Sequence, residues 1–147
     1  MADVHKSIWI DAPPEVVFEY FIDPEKFARW CGQGAEFDPV PQGKHQIDMG
    51  EIGVIKGRFL RVEAPAFVSW QVDSPPGSDA PPSIIEVTIT PEADGSRIDF
   101  KQTGLEAPFD TVAPRGLDHH LARLSVAATG GSPAGDSFCK RKVQTLS

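Results

Sequence analysis

The strongest constraint on this chain is a change of hydrophobic period. From Gly43 onward, apolar and polar residues alternate through five segments: His45 to Met49, Gly53 to Val62, Phe67 to Val72, Ser83 to Thr90 and Arg97 to Thr103. A period of two sends successive side chains to opposite faces of an extended backbone, so each segment is predicted to be a strand. The separators are turn-like. Gly50-Glu51-Ile52-Gly53 is a hairpin candidate, and Glu63-Ala64-Pro65-Ala66 and Glu92-Ala93-Asp94-Gly95 are tight turns. The run Asp73 to Pro82 holds four of the 14 prolines and reads as an exposed loop. Strands joined this simply favour an antiparallel meander. The last two show their faces clearly. Ile85, Val87 and Ile89 alternate with Glu86, Thr88 and Thr90, while Ile98 and Phe100 alternate with Arg97, Asp99 and Lys101. One face of the sheet must be covered and the other wet.

After the strands the period becomes helical. Ala113, Leu117, His120, Leu121, Leu124 and Ala128 fall on one stripe, with Asp118, His119, Ala122 and Arg123 outside it. Asp110 or Thr111 is the expected cap, Pro114 is expected in the first turn, and Gly130-Gly131-Ser132-Pro133 ends the helix. A half-covered sheet followed by an amphipathic helix must pack together. Ahead of the meander, Val4 to Ile10 reads as a first strand, stopped by Asp11-Ala12-Pro13-Pro14. A short helix carrying Val16, Val17, Phe18, Tyr20 and Phe21 follows. A second, Pro24 to Trp30, is capped by Asp23 and ended by Gly32-Gln33-Gly34. The predicted class is α+β: about six antiparallel strands, two short helices after the first strand, and a long C-terminal helix. Residues 1–131 form the predicted domain, and residues 132–147 carry no sustained pattern and read as a poorly ordered tail.

Composition narrows the function classes. A net charge of −7, with acidic residues spread along the chain, opposes nucleic-acid binding, which needs a basic face. The one basic cluster, Lys140-Arg141-Lys142, reads as a solvated tail. No apolar run approaches the roughly 20 residues of a membrane span, and the N-terminus lacks a secretory pattern, so a cytoplasmic protein is expected. The two cysteines, Cys31 and Cys139, lack metal-ligand spacing and are too few for a disulfide framework. Nucleophile-elbow, zinc-protease, phosphate-loop and dinucleotide motifs are missing. Adjacent His119 and His120 point about 100° apart on a helix and cannot share one metal as an i, i+4 pair does. No metal and no cofactor is expected.

Four segments, in order, resemble a known family. "IDAPPEVVFEYFIDPEKFARW" (Ile10 to Trp30) resembles the opening of START-like (SRPBCC) domains, most closely the branch named after activators of the heat-shock-protein-90 ATPase, with polyketide-cyclase-like proteins as relatives. "GVIKGRFLRVEAPAFVSW" (Gly53 to Trp70), "IEVTITPEADGSRIDFKQTGL" (Ile85 to Leu105) and "GLDHHLARL" (Gly116 to Leu124) resemble its later strands and helix signature. Leu117 stands where the family commonly has Trp, and Cys31 where a second Trp often follows the first. Both departures remove aromatic bulk from the pocket that the resemblance implies. The implied fold is a helix-grip: a curved antiparallel sheet wraps the C-terminal helix, two short helices close one end, and a cavity lies between.

The expected partner is therefore a hydrophobic small molecule, lipid-like, polyketide-like or aromatic, and the chain is expected to be a monomer or a homodimer. Trp30, Phe59, Trp70, Val87, Phe100, Leu117, Leu121 and Leu124 are the candidate apolar lining, against the alternative that each is ordinary core. Trp70 leads, because its indole N–H needs a partner at one end of an apolar body. His120 lies inside the helical stripe, either as a polar contact for a ligand or as a core histidine satisfied locally. Gln102 shares the inward parity of Ile98 and Phe100 and is a second polar candidate, or else a strand-end residue reaching water. Arg58 and Arg61 have opposite parity, so at most one is expected to face inward, unless Gly57 marks a bulge. Two other functions stay open. One is a cyclase or dehydratase using His120 as acid or base; the other is a chaperone-binding cofactor protein.

Overall fold

The computed structural model describes residues 2–50, 53–73, 82–105 and 109–130, with backbone placement alone at Ala2, Leu105 and residues 109–116. Its elements are β1 (Ala2–Ile10), α1 (Pro14–Ile22), α2 (Pro24–Phe27), β2 (Gly34–Phe37), β3 (Lys44–Asp48), β4 (Val54–Glu63), β5 (Phe67–Val72), β6 (Ser83–Glu92), β7 (Gly95–Leu105) and α3 (Phe109–Ala128). One antiparallel sheet runs in the order β1-β7-β6-β5-β4-β3-β2. Strands β3 to β7 are the predicted meander, β2 extends it at one edge, and β1 closes the far edge beside β7. The fold class is the α+β arrangement expected from the sequence.

Among the described residues the strand count is seven rather than about six. The added strand is β2, pairing Gly34–Phe37 with β3. Its signal was hidden behind the glycines that end the second helix. Gly32, at φ +83°, turns the chain directly into the sheet, where a Cβ would lie 2.7 Å from Ile47. The Gln33 amide then bonds to the Asp48 carbonyl. The second helix is correspondingly shorter than predicted. It stops at Phe27, and the Trp30 amide bonds to the Phe27 carbonyl in a tighter turn. Helix α3 begins at Phe109, so Asp110 and Thr111 stand inside its first turn rather than ahead of it, and Pro114 falls in the second turn. Residues 74–81 of the proline-rich loop and the tail from residue 131 lie outside the described residues.

The predicted bulge exists in β4 but not at Gly57. Phe59 pairs with Trp70 and Arg61 with Ser69, which leaves Leu60 as the extra residue. That single insertion flips the parity of everything after it. Arg58 and Arg61 therefore share the exposed face, and neither points into the core. Arg61 pairs with Glu63 and covers the Phe67 ring at 4.7 Å.

Helices cross the inner face. α3 packs on β1 and α1, α1 touches β6 and β7, and α2 touches β2. Polar ties fix these positions. Tyr20 donates its hydroxyl to the Ala127 carbonyl at 3.0 Å, joining α1 to the end of α3. Arg123 donates from Nε to the Trp30 carbonyl at 3.1 Å and from Nη2 to the Arg29 carbonyl at 3.2 Å, joining α3 to the turn after α2. Ser96 Oγ, fully buried, donates to the Ala12 carbonyl at 2.7 Å.

Candidate functional site

The inner face of the sheet and the helices above it share one buried apolar cluster. β4 to β7 contribute Phe59, Val68, Trp70, Ile85, Val87, Ile89, Ile98 and Phe100. Phe21, Phe27 and Trp30 come from α1, α2 and the turn that follows, and Leu121 and Leu124 from α3. Leu117 is partly buried against the same cluster. The alternation read in β6 and β7 accounts for this directly, since Ile85, Val87, Ile89, Ile98 and Phe100 hold the inward positions between the buried Ser83 and Ser96 at the strand starts.

At one end of the cluster the packing becomes aromatic. Phe37, His45 and Trp70 form a stack reaching from β2 across β3 to β5. The His45 ring lies 4.4 Å from Phe37 at 25° and 4.6 Å from Trp70 at 12°. Phe59 and Phe27 meet the His45 ring edge-on at 5.0 and 5.8 Å, and Phe100 meets Trp70 edge-on at 6.2 Å. Gly57 makes the stack feasible. It pairs with His45 on one side and Val72 on the other, and no side chain rises between β3 and β5 at that level. A Cβ there would meet the Gln71 carbonyl oxygen at 1.8 Å, so only glycine fits.

The polar atoms of this cluster are unevenly satisfied. Of the three tryptophans, Trp9 donates its indole N–H to the Glu92 carbonyl and Trp30 to the Tyr20 carbonyl, each at 2.9 Å. Trp70 is also packed among rings, yet its buried Nε1 has no hydrogen-bond partner among the described residues. The adjacent His45 Nε2 is buried and likewise without one. A buried donor or acceptor left unmade costs about 1–3 kcal/mol, so two in one ring stack is a concentrated penalty. Burial holds His45 neutral, lowering its pKa to about 3 against an ordinary 6.5, while a hydrogen bond to its own backbone acts weakly the other way.

The sequence candidates divide accordingly. Trp30, Phe59, Trp70 and Phe100 meet in or beside the aromatic stack, and Val87, Leu121 and Leu124 extend it along the sheet and α3. Trp30 differs from Trp70 in that its indole N–H is already engaged by the Tyr20 carbonyl. His120 is buried on the inward side of α3, its ring 5.2 Å from that of the less buried His119. Gln102 is half-buried and donates to Ser83 Oγ at 3.0 Å, so its amide is tied to the neighbouring strand. His45 was missed by sequence reasoning, as were Phe21, Phe27 and Phe37. The signal for His45 was present: it alternates with Ile47 and Met49, which places it on the inward parity.

An open concavity of about 540 Å³ lies where α2 meets β2, lined by Pro24, Ala35, Glu36, Phe37, Asp38 and Lys44. Among the described residues no group of His, Cys, Asp and Glu side chains is arranged to hold a metal ion. Nor is any helix among them long and apolar enough to cross a membrane.

A long helix laid across the inner face of an antiparallel sheet, over a buried aromatic cluster, defines a helix-grip protein of the START-like class. Residues 11–128 match the family model described as "Activator of Hsp90 ATPase homolog 1-like protein", and the chain belongs to that family. Several solved structures share the fold. Protein MLL2253 from Mesorhizobium loti is 20% identical with a TM-score of 0.80, over 87% of this chain and 97% of that one. The Aha1 dimer from Colwellia psychrerythraea is 15% identical with a TM-score of 0.78, over 89% and 98%. CalU16 from Micromonospora echinospora is 19% identical with a TM-score of 0.73, over 87% and 76%. At such identities the likeness establishes the fold. No functionally curated protein matches the chain.

Proposed function

We propose that the protein binds an apolar or aromatic small molecule between the inner face of its sheet and α3, with Trp70 as the anchoring residue. The observation that carries this reading is the Trp70 indole. Its N–H is buried among aromatic rings without a partner among the described residues, while the other two tryptophans satisfy theirs within the protein. Ligand sites of this kind are mostly apolar, with a few convergent polar atoms that fix orientation. Val87, Phe100, Leu117, Leu121 and Leu124 are the proposed apolar walls, and His120 is a polar contact from the helix side. Gln102 holds Ser83 and supports the rim. Membership of the START-like class agrees with this reading, and the likeness to a protein known as a dimer makes a homodimer the assembly to look for in solution.

Native mass spectrometry of the purified protein is expected to detect a hydrophobic adduct, or binding of an added aromatic such as 2-methylnaphthalene. A mass spectrum free of adduct, together with a melting temperature that 2-methylnaphthalene, 2-naphthol and palmitate all leave unchanged, would sink the proposal.

A further inference from the structure

Two neighbouring ring nitrogens, one donor and one acceptor, carry an inference about what such a ligand must be. Trp70 Nε1 can only donate. His45 is held neutral by burial, its own backbone lies within reach of Nδ1 and not of Nε2, and Nε2 is without a partner among the described residues. A neutral imidazole that donates through Nδ1 keeps its lone pair on Nε2, which is therefore an acceptor. The two rings stack nearly parallel at 4.6 Å, so both atoms belong to the same aromatic wall. Arg58 and Arg61 face outward, Lys44 is exposed, and the half-buried Arg123 guanidinium is held by the Trp30 and Arg29 carbonyls.

We propose that His45 and Trp70 together select an uncharged, hydroxyl-bearing aromatic ligand, a phenol or an enol, over both its unsubstituted and its anionic counterparts. A hydroxyl is the smallest group that donates and accepts at once, so it can give its hydrogen to His45 Nε2 and take one from Trp70 Nε1. A methyl group of similar size leaves both nitrogens unmade. A carboxylate can accept from Trp70 but has no hydrogen for His45, and its charge is costly to bury in aromatic surroundings. The flanking rings supply the flat apolar surface that an aromatic body fits. This assignment rests on the binding reading above.

Isothermal titration with three probes of one shape tests it: 2-naphthol, 2-methylnaphthalene and 2-naphthoate at pH 7.5. The expected order is 2-naphthol tightest, by about tenfold or more over 2-methylnaphthalene, with 2-naphthoate weakest. His45→Phe and Trp70→Phe, made separately, are each expected to shrink the preference for 2-naphthol over 2-methylnaphthalene to about threefold or less, whatever each does to the affinity for 2-methylnaphthalene itself. The second variant keeps the test decisive if one of the two does not fold. Equal affinity for naphthol and methylnaphthalene overturns hydroxyl selection and leaves the apolar site standing. Naphthoate binding as tightly as naphthol overturns the exclusion of anions. Saturable binding of none of the three overturns the binding reading itself.

Discussion

His45 is an unusual residue to find fully buried between two aromatic rings, and its energetics are open to direct test. An imidazole held neutral by burial takes up a proton in the folded state only near pH 3, whereas in the unfolded chain it does so near 6.5. Between those values the unfolded state binds more protons, so acid favours unfolding. Stability is expected to fall by about 1.4 kcal/mol per pH unit as pH drops through this window, on top of any contribution from carboxylates. His45→Phe removes that term. It also replaces an orphan acceptor by a ring of similar shape in aromatic surroundings, a change expected to be neutral or stabilising by up to about 1 kcal/mol at pH 7.5. Urea denaturation from pH 7.5 to 4.5 reads both effects. A variant that loses several kcal/mol at pH 7.5, or retains the wild-type pH slope, would show that His45 is a packing residue with another hydrogen-bond partner.

At the scale of elements, most of the architecture was legible because each strand carries its own alternation. Register was not, because it depends on where one extra residue sits. The sequence offered Gly57 as the bulge, but glycine there serves a different need: it lets the β4 backbone approach Gln71 while His45 and Trp70 meet over it. The bulge falls at Leu60, a residue with nothing in its chemistry to announce it. Strand β2 was hidden for a related reason, since four residues at a sheet edge give too short a run for any period to be read. Gly57→Ala is accordingly expected to cost about 3 kcal/mol or more, because the obstructing atoms are backbone and cannot rotate away. Retention of wild-type stability in thermal or urea unfolding would contradict this. The clasp between α3 and the turn after α2 belongs to the same scale. Arg123 lay outside the apolar stripe, yet it holds the Trp30 and Arg29 carbonyls. Arg123→Met keeps most of the stem's packing but leaves those carbonyls without the guanidinium, and a loss of about 1–3 kcal/mol is expected in urea denaturation.

For the molecule as a whole, the proposed site is assembled from elements distant in sequence: Phe37 on the edge strand, His45 and Trp70 on central strands, Phe27 beneath α2, and Leu121 and Leu124 on α3. The candidate lining was therefore only half legible. Parity along one strand shows which side chains point inward, but not which inward polar atoms remain without partners once seven strands and three helices are assembled. A site built this way couples binding to global stability, because unfolding any of these elements disperses it. At a ligand concentration 100 times Kd, binding to the folded state alone adds about 2.7 kcal/mol, which for a chain of this size raises the melting temperature by about 5–10 °C. Wild-type protein is expected to show that rise with 2-naphthol. His45→Phe should begin from an equal or higher melting temperature and rise less at the same ligand concentration, since it has given up an acceptor but not a fold. The two measurements together separate a binding residue from a structural one: packing alone predicts a lower starting point and an undiminished rise. No rise in either protein would mean that the rings around Trp70 fill their own space and hold no guest.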